Sequence, residues 1–319
     1  MHPAYSVILF TTASGAGYGL MFWVSLIHIF GAGPDSRWFE FTAMAVSLIL
    51  VTVGLLASTF HLGHPERAFR AFSQWRSSWL SREGVAAVAT YAPSGFLALI
   101  WLLGGETAWT APLALLAAVG AVVTVYCTGM IYASLRTIRQ WNLGLVPVVY
   151  LGLAAASGAV LLAFFLAAFG QSPIWAAMLS LIGLGGAAAL KALYWRRIDA
   201  DPGRYTVEMA LGLSAVSVGA QAGGVRPLDP PHTRPNFVMR EMGYQVARKH
   251  ALKLRQFSLI ALFAAPAAAI VLASTFGVAV TALYLLAAVS VGVGAVLERW
   301  LFFAEAEHVV TLYYGASRA

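Results

Sequence analysis

Long apolar runs broken by short polar connections dominate the chain. A membrane core of about 30 Å needs roughly 20 apolar residues per helix, and eight stretches of that length are free or nearly free of Lys and Arg. They run from Tyr5 to Ile29, Trp38 to Phe60, Val85 to Leu103, Pro112 to Leu135, Val146 to Phe169, Ile174 to Tyr194, Phe257 to Phe276, and Val278 to Leu301. No period-two alternation of apolar and polar positions marks the strands of a barrel. The fold class is therefore all-α integral membrane protein, with eight transmembrane helices in one domain over residues 1–319. Ser172 before Pro173, and Thr110 before Pro112, read as cap and first-turn proline. Pro266 should kink the seventh span because it removes an amide donor, and a tight turn near Gly277 should join the last two spans.

Composition agrees with this pattern. Of 319 residues, 60% are hydrophobic and 10% charged, too few charges to cover a soluble globule of this size. A formal charge of +7 in a soluble protein would suggest nucleic acid, but here the apolar fraction decides first. Cys127 is the single cysteine, which excludes a disulfide framework, a cysteine zinc site and a self-contained iron–sulfur cluster. The apolar amino terminus lacks a basic flank, the first Arg or Lys being Arg37, so it reads as a permanent span rather than a cleaved signal.

Eight spans put both termini on one side, with the connections after spans two, four and six. That side gathers Arg67, Arg70, Arg76, Arg82, Arg136, Arg139, Lys191, the basic residues from Arg196 to Arg255, and Arg318, against Arg37 alone on the other. Positive charge marks the cytoplasmic side of short loops, so the termini are expected there. The connection over residues 196–256 is far longer than most. It holds a proline-rich stretch from Arg226 to Asn236, then a basic segment of helical propensity from Met239 to Gln256. It reads either as an amphipathic linker on the lipid surface or as a docking surface for a soluble partner, with Arg240, Arg248, Lys249, Lys253 and Arg255 as its charges.

Ionisable residues at span ends are the candidates for chemistry. The second span ends in Phe60-His61-Leu62-Gly63-His64-Pro65, and the third opens with Trp79-Leu80-Ser81-Arg82-Glu83. His61 can simply favour the negative end of a helix dipole, and Glu83 behind a Ser81 cap can favour the positive end. Both belong to one connection, however, and should meet at one membrane surface. A histidine beside a carboxylate there can exchange the protons that accompany quinone redox chemistry, with Trp75 and Trp79 as flat walls or as interfacial anchors. His28 has no facing histidine at similar depth in another span, which leaves a b-type haem poorly supported. His2, His232 and His250 read as solvated, and Cys127 as a small core residue. Glu298 and Arg299, near the end of the last span, read as a structural pair with each other or with polar groups of neighbouring helices, or as part of a proton path.

At these positions the sequence resembles the membrane anchor subunit of dimethyl sulfoxide reductase-type molybdenum oxidoreductases. The matching residues are His61-Leu62-Gly63, Pro65, Arg67-Ala68-Phe69, Leu80-Ser81 and Glu83. Further matches are Tyr132, Ser134, Thr137, Trp141 and Pro147, then Arg299, Phe302 and Phe303. The long basic connection, the Ser-Ser-Trp before Leu80 and the run from Glu298 to Glu305 look more like the anchor of cytoplasmic sulfite dehydrogenases. The resemblance implies an anchor in a bacterial inner membrane with no haem or metal of its own. It implies a bound quinone, ubiquinone or menaquinone, with His61 and Glu83 as the proton-exchanging pair and Trp75, Trp79, Ser81, Arg82 and Tyr132 around it. It also implies two partners, a ferredoxin-like four-cluster [4Fe-4S] subunit and a molybdopterin catalytic subunit. The partner fixes the substrate, so sulfite oxidation, the favoured reaction, and reduction of a sulfoxide with menaquinol both rest on analogy. A transporter and a purely structural tether are the competing classes. A transporter usually carries charges near the bilayer midplane, and a tether would not bind quinone analogues.

The charge asymmetry makes the first testable prediction. A carboxy-terminal fusion to a cytoplasm-dependent fluorescent protein should fluoresce, and the same fusion to alkaline phosphatase should be inactive. The opposite pair of results would invert the topology.

Overall fold

In a bilayer core each backbone amide and carbonyl must find its partner within the protein, which a helix achieves by itself. The structure, a computed structural model, describes residues 4–59, 64–105, 107–200, 205–207 and 250–314. Among these residues eight helices are long and apolar enough to cross a membrane. They are α1 (Tyr5–Ile29), α2 (Arg37–Thr59), α3 (Trp79–Leu102), α4 (Thr110–Ala133), α5 (Leu145–Ala168), α6 (Ile174–Asp199), α7 (Ala251–Phe276) and α8 (Val280–Ala304). Short 3-10 helices cover Pro65–Gln74 and Val309–Tyr314. An isolated antiparallel bridge joins Ile138 to His308. His61 lies outside the described residues, as do residues 201–204 and 208–249, and with them Arg240, Arg248 and Lys249.

The helices overrun the apolar stretches mainly at one end of the bundle. There α3 starts at Trp79 rather than Val85, α6 continues to Asp199, α7 starts at Ala251, and α8 continues to Ala304. Hydrophobicity marks only the part of a helix that meets lipid tails, while the added turns carry polar side chains with partners inside the protein. Arg255 of α7, for example, reaches Asp199 of α6 at 2.6 Å and Glu305, just past α8, at 2.8 Å. This end, which holds the connections after α2, α4 and α6, is called the basic end below.

Helix starts differ from the sequence reading by a residue or more. Ser78, extended at φ −110°, ψ 127°, is the N-cap of α3, which places Ser81 inside the helix and Glu83 in its second turn. Pro173 is itself the N-cap of α6, and Trp109 that of α4. None of these caps uses a side-chain hydrogen bond. Starts of this kind are set by packing, so a Ser or Thr nearby is a poor marker.

Two helices lie at the centre, α1 and α5. They cross where Gly19 meets Ala154 and Gly158 so closely that a Cβ on either glycine would collide with backbone. Lipid tails are as apolar as leucine, so membrane helices associate through close backbone packing at small residues. A similar contact joins α1 to α2, where the Ser47 hydroxyl donates to the Gly17 carbonyl at 2.6 Å. In α7 the expected disturbance at Pro266 takes the form of a π-helical turn, Ile260–Ala264. The Ser290 hydroxyl of α8 donates to the Ala261 carbonyl within it at 2.7 Å. The turn between α7 and α8 passes through Gly277 at φ +65°.

The α1–α5 crossing predicts a contrast between glycines. Gly158→Val should abolish accumulation of folded protein in the membrane, because no side-chain movement can relieve a clash with the Gly19 backbone. Gly186→Ala, where an added Cβ meets open space, should be neutral or stabilising by up to about 1 kcal/mol from helix propensity. Fluorescence size-exclusion yield and thermal stability in detergent check both.

Candidate functional site

Glu83 is buried within the protein rather than exposed on its surface. One and a half turns into α3, it is 4% exposed and touches the Thr128 hydroxyl of α4 at a short hydrogen bond. That hydroxyl is also 3.0 Å from the Thr124 carbonyl. One hydroxyl proton can serve only one of the two acceptors. When it goes to the carbonyl, the contact with Glu83 is completed by a proton on the carboxyl group, so this pair can take up or release a proton without moving.

The other residues singled out in the sequence divide into two groups. Trp75 is exposed, and Trp79 and Arg82 are half-buried. Arg82 donates to the carbonyls of Trp75 at 3.0 Å and Arg76 at 2.7 Å, with its guanidinium 4.3 Å above the Trp79 ring. Arg82 thus ties the end of the connection, at Trp75 and Arg76, to the start of α3. Ser81 is buried beside them. Tyr132, by contrast, belongs to an aromatic cluster deeper in the protein, stacked on Tyr150 at 5.7 Å and edge-on to Trp141, Phe302 and Phe303. His28, on the opposite end, binds Glu40 at 2.6 Å. Among the described residues no group of three or more His, Cys, Asp or Glu is placed to hold a metal ion.

Behind the aromatic cluster, three charges are buried inside the bundle. Both carboxylate oxygens of Glu298 accept from Arg299, at 2.5 Å and 2.7 Å, and Lys191 of α6 forms an ion pair with the same carboxylate. All three residues are at most 3% exposed. The Arg299 guanidinium lies 4.2 Å from the Tyr150 ring and 4.7 Å from Phe302, and the Lys191 ammonium 4.2 Å from Tyr194. Two cations and one anion leave the cluster with net charge +1, partly compensated by the negative faces of these rings. The sequence reading paired Glu298 and Arg299 with each other or with polar groups of neighbouring helices, or made them part of a proton path, and the structure supplies both kinds of partner. The same reading counted Lys191 among the surface cations, because nothing in a single helix reveals that this lysine turns inward to a carboxylate on another.

A cavity of about 370 Å³ opens between α1, α5 and α8. Thr128, Tyr150, Glu298 and Arg299 line one part of it, and Thr11, Thr12, Ser14 and Ser157 contribute hydroxyls elsewhere on a wall that is otherwise apolar. Thr128 therefore stands between Glu83 and the cavity. Toward the basic end, Trp195 is flanked by Lys191 at 4.9 Å and Arg255 at 5.3 Å. Arg255 in turn holds Glu305, whose carboxyl is pushed above the usual range by burial, with Arg255 drawing it back. Of the charges named for docking, Arg255 is paired with Asp199 and Glu305, whereas Lys253 is exposed. The signal for the cavity in the sequence was the run Thr11-Thr12 and Ser14-Gly15, small polar residues early in an otherwise apolar span.

These features define a multi-pass helical membrane protein with a buried ionic cluster and a carboxylate at one end, beside a cavity sized for a small organic molecule. Residues 1–315 match the family of the DMSO reductase anchor subunit (DmsC), and the chain belongs to that family. It is 33% identical to a sulfite dehydrogenase subunit of Allochromatium vinosum, across 98% of this chain and 99% of the relative. Similarity to an anaerobic dimethyl sulfoxide reductase chain of Haemophilus influenzae is 27%, over 43% of this chain and 49% of the relative. The anaerobic dimethyl sulfoxide reductase chain YnfH of Escherichia coli is 28% identical, over 59% and 68% respectively.

Proposed function

We propose that the chain is the quinone-reactive anchor of a three-subunit molybdopterin and iron–sulfur oxidoreductase, passing electrons between a partner's clusters and the quinone pool during sulfite oxidation. The observation that carries this reading is Glu83, a carboxylate sealed from water, bonded to Thr128 and one residue away from a cavity within the bilayer span. Intramembrane ionisable groups are functional candidates by default, because burying them without a use is expensive. The residues fit a quinone on two counts. The cavity is mostly apolar and of suitable volume, and Arg299 on its wall has a buried Nη1 with no well-formed hydrogen bond within the protein.

A bound quinone supplies two-electron, two-proton redox chemistry. The chain's own share is protonic and structural. Glu83 and Thr128 hold or pass a proton at the Glu83 carboxylate, with His61 as the second proton-exchanging group carried over from the resemblance. Arg82, over Trp79, fixes the Trp75–Arg76 backbone to the start of α3, the helix that carries Glu83. Electrons come from a ferredoxin-like four-cluster [4Fe-4S] subunit docked on the basic end, which is the cytoplasmic side of a bacterial inner membrane, and the molybdopterin subunit beyond it selects the substrate. Near end-to-end similarity to a sulfite dehydrogenase subunit supports sulfite. The second reading, an anchor for a sulfoxide reductase using menaquinol, is favoured by the family match and by two relatives named as dimethyl sulfoxide reductase chains.

The test is a contrast between two assays on the assembled complex. Glu83→Gln or His61→Ala should lower quinone-coupled turnover by roughly 100-fold or more, the scale for losing a general acid or base. Turnover with soluble dyes, which draw directly on the partner's clusters, should stay near normal. Equal losses in both assays would indicate failed assembly, and no loss in either would remove these residues from the quinone reaction.

A further inference from the structure

The function proposed above places proton exchange at Glu83 but leaves open where a quinone ring would lie. The cavity between α1, α5 and α8 has a lateral mouth, since Gly292 and Val296 on its rim are exposed on the outer surface of the bundle, which in a bilayer faces lipid. Depth follows from the helix ends. Arg299 is five residues from the end of α8 at Ala304, and Thr11 six from the start of α1 at Tyr5, or roughly 8–9 Å inside at 1.5 Å per residue. Ser157, twelve residues into α5, lies at roughly 18 Å, near mid-membrane. The cavity thus runs from an ionic floor toward the bilayer centre and opens sideways.

Its polar groups are arranged with a definite sense. Thr12, Ser14 and Ser157 donate their hydroxyl protons to carbonyls of their own helices, at 2.8 Å, 2.6 Å and 2.8 Å, so their oxygens remain available only as acceptors. Arg299 is the converse. Nε and Nη2 are occupied by Glu298, while Nη1 is buried with no well-formed hydrogen bond, as is the hydroxyl of Tyr150, whose ring lies 4.2 Å from the guanidinium. A buried donor left unmatched costs its desolvation, and a ring carbonyl would satisfy it. A lipid acyl chain has no acceptor to offer.

We propose that this cavity is the ring site of an isoprenoid quinone, which enters sideways between α1 and α8, with Arg299 donating from Nη1 to a ring carbonyl. The intraprotein hydroxyls accept from the reduced, hydroxyl-bearing form. Glu298 is a positioning residue, because its two oxygens fix the guanidinium so that Nη1 alone is left for the ligand. The site rests on the quinone-reactive reading and adds that the ring lies on the α5–α8 side of Thr128 and Glu83, away from the exposed Trp75.

Glycines in the cavity wall allow a test that spares the fold. A Cβ at Gly15 or Gly292 meets nothing within 4 Å, so Gly15→Leu with Gly292→Leu places bulk at the cavity lining and its mouth without a clash at the Cβ. The complex carrying both changes should assemble with unchanged yield and melting temperature. Its co-purified quinone, measured by extraction and mass spectrometry, should fall at least about tenfold, because a ring kept out of the cavity forgoes its bond to Arg299, a loss on the scale of one buried hydrogen bond. An azido-quinone should photolabel wild-type peptides from α1, α5 and α8 and lose that labelling in the variant. Quinone retained at wild-type level, or labelling confined to the Pro65–Arg82 connection, would overturn the cavity site while leaving the quinone-reactive reading intact. Loss of phospholipid instead of quinone would make it an acyl-chain groove and also overturn the proposal. If the Glu83→Gln complex keeps full quinone-coupled turnover while the filled cavity loses quinone, the cavity site stands and the Glu83 role fails.

Discussion

Glu298 sits between two cations in the interior of a membrane protein, and the packing of the basic end depends on it. An unpaired ammonium or guanidinium in a low-dielectric interior is unfavourable by several kcal/mol. Lys191 and Arg299 come from different helices, so neutralising both with one carboxylate binds α6 to α8. The aromatic rings around them, Tyr150 of α5 and Tyr194 of α6 with Phe302 of α8, follow from the same constraint. They exclude water from the ion cluster while presenting electron-rich faces to its surplus positive charge. Trp141, in the α4–α5 connection, is anchored to the cluster by donating to the Phe302 carbonyl at 2.9 Å.

From this cluster the layout of the candidate site follows. Glu298 holds the Arg299 guanidinium at the cavity wall through two hydrogen bonds, and Tyr150 and Thr128 complete the same wall. Glu83 reaches that wall through one hydroxyl. The Glu83 carboxylate of α3, Thr128 of α4, Tyr150 of α5 and Arg299 of α8 are thereby gathered from four different helices at a single, mostly apolar chamber. On the outward side, the Arg255 ties to Asp199 and Glu305 fasten α6, α7 and the end of α8 together at the basic end.

The spans were legible because apolar length is a direct consequence of bilayer thickness, and α1 matches its expected bounds from Tyr5 to Ile29. The helix ends were less legible. Trp79 and Ala251 begin helices in polar sequence, where tertiary partners rather than hydrophobicity hold the extra turns. Glu83 was recognisable as an ionisable residue at a span boundary and by resemblance, but its burial depends on Thr128, which no local pattern links to it. Lys191 illustrates the limit best, since a single lysine near the end of a span reads as one more cation of the basic side until the Glu298 carboxylate of α8 is seen beside it. Cavities are legible least of all, because they are spaces left by the packing of α1, α5 and α8.

The central claim is that Glu298 neutralises Lys191 and Arg299 together, and a double-mutant cycle on melting temperature tests it directly. Glu298→Gln removes the shared anion and leaves two buried cations, which should destabilise the purified complex by about 3–5 kcal/mol. Replacing Lys191 with Met should be milder on its own, because Arg299 remains paired. Combining the two should be less damaging than Glu298→Gln alone, since the second cation is then gone and a methionine fills its space. Additive losses, or a Glu298→Gln complex as stable as wild type, would contradict the account.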